Sequence, residues 1–194
     1  DKNIAQKIVE AFKTAPTQKV LEVGPGKGVL SQYLLPFFGS SFYAVEIDEE
    51  SSRYLLQEYP ELENHLMEED FIQMNFSSFS SQPFSIIGNF PYNISSQIFF
   101  KIFDNKDLIP FVVGMVQKEV AERISAKPGN KIYGILSVLL QAYYDVKLLF
   151  KVGPGSFQPP PKVNSAVIEL KRNNVKELGC DEKLFFRIVK QSFN

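Results

Sequence analysis

Short apolar runs that are typical of strands alternate with helical patterns along the chain as far as residue 116. The predicted strands occupy residues 19–23, 42–47, a short stretch before Asp70, 84–88 and 111–116. The helical patterns between them cover residues 29–38, 48–59 and 95–103. This alternation predicts a mostly parallel sheet with helices on both faces, because parallel strands are joined by crossovers that are usually helical.

The carboxyl-terminal part predicts an antiparallel addition to this sheet. Residues 146–152 and 165–170 have strand patterns, and the proline-rich loop from Gly153 to Lys162 separates them. This arrangement indicates a closing antiparallel hairpin. Further helical patterns cover residues 135–144 and 181–193, and Ile4, Ile8, Val9 and Phe12 share one helical face near the amino terminus. The predicted class is α/β with a seven-stranded sheet.

Composition excludes several classes of protein. At 194 residues, with 44% hydrophobic and 22% charged residues, the chain can bury a substantial core as one domain. No apolar run reaches membrane-spanning length and no signal peptide is visible, so we expect a cytoplasmic protein without membrane contact. Cys180 is the only cysteine and His65 the only histidine. These counts exclude an internal disulfide and a multi-histidine metal site, and we expect no metal.

Charge is distributed unevenly between the two halves of the sequence. Residues 1–100 contain 6 Lys or Arg and 13 Asp or Glu, whereas residues 101–194 contain 15 and 9, giving −7 and +6 within a net charge of −1. A positive second half can meet phosphates while the first half holds a small cofactor. From charge alone, scattered solvated residues are the simpler explanation.

Three glycines separate the first predicted strand from the following helix. Gly24, Gly26 and Gly28 allow the backbone to approach a ligand closely, and the start of a helix offers free N–H groups. A dinucleotide-binding loop has its third glycine three residues after the second, where this chain has Val29. The spacing therefore disfavours a nicotinamide-dependent oxidoreductase. A purely structural turn is the alternative.

Two acidic residues lie at the ends of the next predicted strands. Glu46 lies 20 residues after Gly26, where a carboxylate can accept both hydroxyls of a ribose. Asp70 can accept a hydrogen bond from an adenine amine while Phe71 packs on the ring. A surface acid for Glu46 and a helix cap for Asp70 are the alternatives. All three features follow successive strands, where open α/β sheets bind ligands, so together they favour a nucleoside site.

The fourth predicted strand is followed by the sequence Asn89-Phe90-Pro91-Tyr92. The side-chain oxygen of Asn89 and the backbone carbonyl of Phe90 can accept both hydrogens of an exocyclic amine. Pro91 restricts the local backbone, and the Tyr92 ring can stack on a base. The tetrapeptide resembles the Asn-x-Pro-Tyr motif of methyltransferases that act on the adenine amine, and it predicts both the reaction and the reacting atom.

The segments 22–28, 46–48, 69–71 and 88–94 resemble, in order, the motifs of class I S-adenosylmethionine-dependent methyltransferases. More narrowly, the chain resembles the KsgA-type small-subunit ribosomal RNA adenine dimethyltransferases. Segments 115–123, 131–137 and 157–167 carry this narrower resemblance and are more specific than the glycine loop. The resemblance runs over nearly the whole chain.

The resemblance implies a Rossmann-like class I methyltransferase fold with S-adenosylmethionine as cofactor. It places eight residues at the cofactor: Glu22, Gly24, Gly26, Glu46, Ile47, Asp70, Phe71 and Asn89. It gives Asn89, Phe90 and Tyr92 catalytic roles. Tyr92, Phe157 and Lys162 are the implied substrate-binding residues, and Lys118 and Arg123 are further candidates for phosphate contact. Loop packing for Phe157 and surface solvation for the three basic residues are the alternatives.

The implied substrate is a pair of adjacent adenosines in a hairpin loop near the 3′ end of small-subunit rRNA, each converted to N6,N6-dimethyladenosine. The implied partner is this rRNA, or the immature small ribosomal subunit, and we expect a monomer. Members of the family usually have a Gly-Gln-x-Phe-Leu segment before the start of this chain, and a basic run and a small helical domain after its end. We therefore expect residues 1–175 to form the methyltransferase domain and residues 176–194 to begin a truncated helical domain.

The sequence alone leaves other functions open. One is a large-subunit rRNA adenine methyltransferase of the antibiotic-resistance type, or a transcription-factor relative. Residues 131–137 and the proline-rich loop favour the small-subunit enzyme over both. Another is a ribosome-assembly factor that only binds RNA, which the intact motif at Asn89–Tyr92 disfavours.

Overall fold

A computed structural model describes residues 1–157 and 162–193, which form a seven-stranded sheet covered by helices. The strands are β1 (Lys19–Val23), β2 (Phe42–Glu46), β3 (Leu66–Glu68), β4 (Phe84–Asn89), β5 (Phe111–Gln117), β6 (Tyr144–Val152) and β7 (Ser165–Arg172). Their order across the sheet is β3-β2-β1-β4-β5-β7-β6.

Pairing within the sheet is parallel from β3 through β5 and antiparallel beyond. Strand β7 lies between β5 and β6 and is antiparallel to both. A register irregularity between Leu148 and Phe150 interrupts the β6–β7 ladder. The prediction of a mostly parallel seven-stranded sheet with an antiparallel carboxyl-terminal hairpin is therefore confirmed. Residues 158–161 of the proline-rich loop lie outside the described residues.

The helices are α1 (Lys2–Phe12), α2 (Ser31–Phe38), α3 (Glu49–Glu58), α4 (Phe76–Phe79), α5 (Ser95–Asp104), α6 (Lys118–Ile124), α7 (Ile135–Tyr143) and α8 (Glu182–Ser192). Sequence patterns missed α4 and α6. Helix α4 has only four residues, and α6 begins directly after β5 without an intervening turn. Both helices are too short for a helical period of apolar residues to be recognised in the sequence.

Hydrophobic residues form two clusters, one on each side of the sheet. Neighbouring residues of one strand fall into different clusters: Ile86 belongs to the first and Ile87 to the second. Successive side chains of a strand point to opposite faces, so the central strands are buried on both sides. The first cluster includes residues of α5 and α7, and the second includes residues of α1 and α2.

The last helix packs against this main core. Val189 of α8 is buried in the first cluster, and Phe186 stacks on Phe103 with ring centroids 5.9 Å apart. Glu182 accepts hydrogen bonds from Lys106 at 2.8 Å and from the Tyr143 hydroxyl at 2.7 Å. Helix α8 thus packs on the same core as the sheet, and a separate domain starting at residue 176 stays a prediction.

The ring of Phe90 occupies a slot left by two glycines. Gly88 and Gly114 pair directly across β4 and β5. A Cβ atom on Gly114 would lie 2.5 Å from the Phe90 ring, and one on Gly88 would lie 2.8 Å from it. The ring is fully buried and meets Phe99 of α5 edge-on, with centroids 5.7 Å apart. The slot therefore fixes where the chain leaves β4.

We expect Gly114→Ala to lower the free energy of unfolding by about 1–3 kcal/mol, because the new methyl group overlaps the Phe90 ring. Denaturant unfolding measures this change. Gly153→Ala is a matched control, since Gly153 has φ −76° and nothing lies within 4 Å of an added Cβ there. Equal losses of stability in the two variants would contradict a tightly fitted slot.

Candidate active site

A cavity of about 450 Å³ opens at the carboxyl ends of β1, β4 and β5. It brings together five residues that the sequence predicted for the site: Glu22, Gly24, Gly26, Asn89 and Phe157. It also contains residues that sequence reasoning did not assign, among them Ile4, Ile8, Leu30 and Met115. The apolar face of α1 was visible in the sequence, but nothing local indicated that it closes one side of this cavity.

The three glycines of the β1–α2 loop have different roles. All have positive φ: 65° at Gly24, 55° at Gly26 and 72° at Gly28, a region that side chains disfavour. A Cβ on Gly24 would lie 3.9 Å from Pro91, so this glycine adjoins the loop after β4. A Cβ on Gly28 would lie 2.6 Å from the Tyr59 ring. Gly24 and Gly26 thus face the cavity, while Gly28 makes room for packing.

The carboxylate of Glu46 holds the glycine loop to the end of β2. One oxygen accepts the N–H of Gly26 at 3.0 Å. The other accepts the N–H groups of Ile47 at 2.9 Å and Asp48 at 3.1 Å. Glu46 is buried, whereas the Ile47 side chain is 68% exposed. Neither residue is among the described residues that line the cavity. Both lie at the carboxyl end of β2, which is the neighbour of β1 on the side away from β4.

The loop after β3 places Asp70 and Phe71 differently from each other. Asp70 is half-buried, and its carboxylate accepts the N–H of Ile72 at 2.8 Å. We expected the Phe71 ring to pack on an adenine, but only 4% of Phe71 is exposed, and its ring packs on Phe76 with centroids 5.4 Å apart. The ring belongs to the hydrophobic core beside the Asp70 loop, and its contact with an adenine stays a prediction.

Lys101 of α5 ties this loop to the helix that follows the Asn89–Tyr92 motif. Its ammonium donates to the carbonyls of Ile72 at 2.7 Å and Met74 at 2.6 Å. It also lies 4.7 Å from the centre of the Phe76 ring. Burial lowers the pKa of Lys101, and the charge of Asp70 opposes that shift. Sequence reasoning missed this residue, although a single lysine in a mostly apolar helix is a visible signal.

Of the four residues of the Asn89–Tyr92 motif, only Asn89 is among the described residues that line the cavity. Asn89 is the last residue of β4, is exposed and lines the cavity. The N–H of Phe90 donates to the Met115 carbonyl at 2.9 Å, and the Phe90 ring lies in the slot between Gly88 and Gly114. Tyr92 is half-buried, and its hydroxyl is hydrogen-bonded to that of Ser165 on β7. Both ends of the motif are therefore anchored to the sheet.

The predicted substrate-binding residues occupy two places. Phe157 lines the cavity with Asn89 and is half-buried against the second hydrophobic cluster. Lys162 is exposed and lines a separate groove of about 440 Å³ together with Lys118. Lys118 pairs with Glu122 at 3.7 Å, while Arg123 is exposed on the same short helix. The cavity and the groove adjoin through β5, whose last residues are Met115 to Gln117.

Glu22 is a carboxyl group buried in the wall of the cavity. Only 1% of the residue is exposed, and the hydroxyl of Ser31 donates to it at 2.6 Å. Burial raises the pKa of Glu22 to about 8, with a smaller contribution from the charge of Glu46, while the Ser31 hydrogen bond opposes the shift. The group can therefore hold a proton near neutral pH.

A family model described as ribosomal RNA adenine dimethylase matches residues 1–194. The chain belongs to this family. The predicted resemblance is thereby confirmed, and so is the predicted class of enzyme. Asn89 and the glycine loop line one cavity, and Gly24 adjoins Pro91 of the motif.

Individual proteins agree with the family assignment. The chain is similar to ribosomal RNA small subunit methyltransferase A of Bacteroides thetaiotaomicron, with 56% identity covering 100% of this chain and 73% of that protein. Its structure is similar to a dimethyladenosine transferase from Plasmodium falciparum, with TM-score 0.81 and 29% identity over 98% of this chain and 68% of that one. It is also similar to the 23S rRNA methyltransferase ErmE, with TM-score 0.77 and 26% identity over 98% and 75%.

Of the helices in residues 1–157 and 162–193, none has the length and apolar character needed to span a membrane. In the same part of the chain, no group of three or more His, Cys, Asp or Glu residues is placed to hold a metal ion.

We expect the stability of the dimethylase to fall as pH rises from 4.5 towards 8 because of Glu22. Its pKa is raised in the folded protein, so its stabilising contribution is complete below the ordinary value of 4.5 and is lost as pH rises through about 8. Glu22→Gln mimics the protonated form and should flatten this decline. Denaturant unfolding of the ligand-free protein at pH 5, 7 and 8.5 measures it.

The exposed residue Glu63 supplies the control for that experiment. Glu63→Gln should leave the decline between pH 5 and 8.5 as it is in the parent protein. If Glu22→Gln also left it unchanged, the assignment of the proton to Glu22 would be wrong.

Proposed function

We propose that this dimethylase transfers methyl groups from S-adenosylmethionine to N6 of two adjacent adenosines in the 3′-terminal hairpin loop of small-subunit rRNA, as a step in maturation of the small subunit. One observation carries the proposal: Asn89 and the glycine loop face a single cavity. That arrangement lets an amine acceptor and a nucleoside-binding loop act on neighbouring molecules. Membership of the ribosomal RNA adenine dimethylase family supports the reaction class.

The cofactor side of the site suits a nucleoside joined to an amino acid. Gly24 and Gly26 present backbone beside the methionine and ribose, and the buried carboxyl group of Glu22 lies in the same wall. Glu46 is assigned to the ribose, because the carboxylate oxygen that accepts only the Gly26 N–H keeps a further lone pair for a hydroxyl. A cavity of about 450 Å³ is within the range of small-molecule sites.

The adenine of the cofactor is assigned to the outer part of the same edge. Asp70 is positioned to accept from its amine, since Lys101 holds the 70–74 loop in place from the other side. The exposed side chain of Ile47 is available to cover one face of the ring. Phe71 contributes through the backbone and by supporting Asp70, because its ring is buried in the core.

The target side uses the loop after β4. The Asn89 side-chain oxygen and the Phe90 carbonyl are assigned to accept the two N6 hydrogens of a target adenine. Tyr92 is assigned to one face of the base, and Phe157 to the other. A base in an RNA loop can be unstacked and placed between aromatic rings at lower cost than one in a duplex.

S-adenosylmethionine supplies an electrophilic methyl group bound to a positively charged sulfur. The adenine N6 lone pair is delocalised into the ring, so two acceptors on its hydrogens favour the pyramidal, nucleophilic form. Holding the amine in line with the methyl group contributes on the order of several kcal/mol to the barrier reduction. The methylated nitrogen is acidic and loses its proton to water, so the chain needs no dedicated base.

The groove beside Lys162 and Lys118 is assigned to the phosphate backbone that flanks the target base. Its lining residue Gln117 pairs with Ser165, the hydrogen-bond partner of Tyr92. Binding there is electrostatic and falls with salt. We propose that the chain acts as a monomer on rRNA or an immature small subunit in the cytoplasm.

A large-subunit target is the second candidate, because ErmE, a 23S rRNA methyltransferase, has a similar fold at 26% identity. The relative from Bacteroides thetaiotaomicron is 56% identical and carries a small-subunit name. The larger identity favours the small-subunit target. Mapping of the methylated nucleotides after reaction with immature small and large subunits separates the two.

We expect Asn89→Ala to lower kcat for methyl transfer by about 10²-fold or more while RNA affinity stays within about 3-fold, because the lost acceptor orients the amine only in the reacting complex. Labelled S-adenosylmethionine and immature small subunits provide the assay. Asn174→Ala is the matched control, since Asn174 is exposed and lies between β7 and α8. Near-normal turnover in a folded Asn89→Ala protein would be incompatible with this role.

Glu46→Gln tests the cofactor assignment. We expect the affinity for S-adenosylhomocysteine to fall by about 10-fold or more, because an amide has one acceptor oxygen in place of two and cannot accept from both the backbone N–H groups and the ribose. Calorimetry on the ligand-free protein measures it. Glu50→Gln, at an exposed acid nearby, should bind like the parent protein. An unchanged affinity in Glu46→Gln would remove this residue from the site.

A further inference from the structure

Tyr92 is held by a residue that lies 73 positions away in the sequence. Its hydroxyl is hydrogen-bonded to the hydroxyl of Ser165, with the two oxygens 2.5 Å apart. Ser165 is the first residue of β7 and has no exposed surface. It pairs with Gln117 on one side and Val152 on the other, so the backbone that carries it is fixed by two neighbouring strands.

This hydrogen bond restrains the plane of the Tyr92 ring. The ring is half-buried, and the described contacts place its backbone next to α5, where the hydroxyl of Ser95 donates to the Tyr92 carbonyl at 3.1 Å. Backbone and hydroxyl are therefore held at opposite ends of the side chain. A phenol anchored at both ends cannot turn about its side-chain bonds without breaking the Ser165 contact.

We propose that Ser165 is a positioning residue for the target adenine, acting through Tyr92 to keep the base aligned for the second of the two methyl transfers. This inference rests on the proposed function. After the first transfer, N6 carries a methyl group and one hydrogen, so only one amine hydrogen remains for the acceptors at Asn89 and Phe90. The stacked ring then supplies a larger share of the alignment, and a loosely held ring slows the second transfer more than the first.

The atoms of both steps balance without any further reactant. In each step the N6 lone pair forms a bond to the methyl carbon, and the carbon–sulfur bond breaks with its electrons going to sulfur. The nitrogen then releases one proton to water. Ser165 and Tyr92 exchange nothing with the substrate, so their effect is confined to geometry.

The test compares Ser165→Ala, Tyr92→Phe and the double variant in the whole chain, with labelled S-adenosylmethionine and immature small subunits. The measured quantity is the ratio of N6-monomethyl to N6,N6-dimethyl adenosine at equal total methylation. We expect each single variant to raise this ratio about 5-fold or more. The double variant should match the single variants, because all three lack the same hydrogen bond.

Ser85→Ala is the matched control for loss of a buried hydroxyl. Ser85 has no exposed surface and is hydrogen-bonded to the Thr17 hydroxyl at 2.6 Å. It is the second residue of the central strand β4, whereas the cavity lies at the carboxyl end of that strand. Its product ratio should equal that of the parent protein even if its melting temperature falls. Should Ser165→Ala fail to fold, Tyr92→Phe removes the same bond from the partly exposed side.

The possible results distinguish a failure of the role of Ser165 from a failure of the proposed function. A parent protein that dimethylates adenosine, combined with variants whose product ratios equal that of Ser85→Ala, would overturn the role of Ser165 alone. Multiplied effects in the double variant would likewise overturn it, since the two residues would then act independently. A parent protein that binds S-adenosylhomocysteine but methylates no adenosine N6 would overturn the proposed function, and this inference with it.

Discussion

The fit of the Phe90 ring between two glycines is the contact on which the rest of the site depends. Gly88 and Gly114 face each other across β4 and β5, and the ring fills the space that their side chains would occupy. With the ring fixed, the Phe90 carbonyl and Asn89 have fixed positions at the carboxyl end of β4. Pro91 then lies next to Gly24, so the loop after β4 and the glycine loop pack against each other.

Acidic residues at this edge are held by backbone N–H groups and hydroxyls. Glu46 accepts three N–H groups, and Asp70 accepts one in its own loop. Glu22 has only the Ser31 hydroxyl, and its burial raises its pKa to about 8. Because N–H groups stabilise a negative charge and burial opposes it, the outer carboxylates are suited to accept from hydroxyls and amines. The inner one is suited to remain protonated.

Much of this arrangement could be predicted from sequence because the signals are local. The strand–helix alternation, the glycines at 24 and 26, and the Asn89–Tyr92 motif each depend on residues that are close in the chain. The burial of Phe71, the clamp by Lys101 and the bond from Tyr92 to Ser165 depend on contacts between distant segments. Side-chain pattern carries no information about such partners, so these had to come from the structure.

The position of β7 has a consequence for biosynthesis. Strand β7 lies between β5 and β6, although it follows both in the sequence. Strand β6 therefore has no neighbour within the described sheet until residues 165–172 have been translated. Pairings between distant segments form late in folding because loop closure must precede them. A nascent chain that already contains the glycine loop would still lack the strand that carries Ser165. Completion of the candidate site is thereby coupled to translation of residues 165–172.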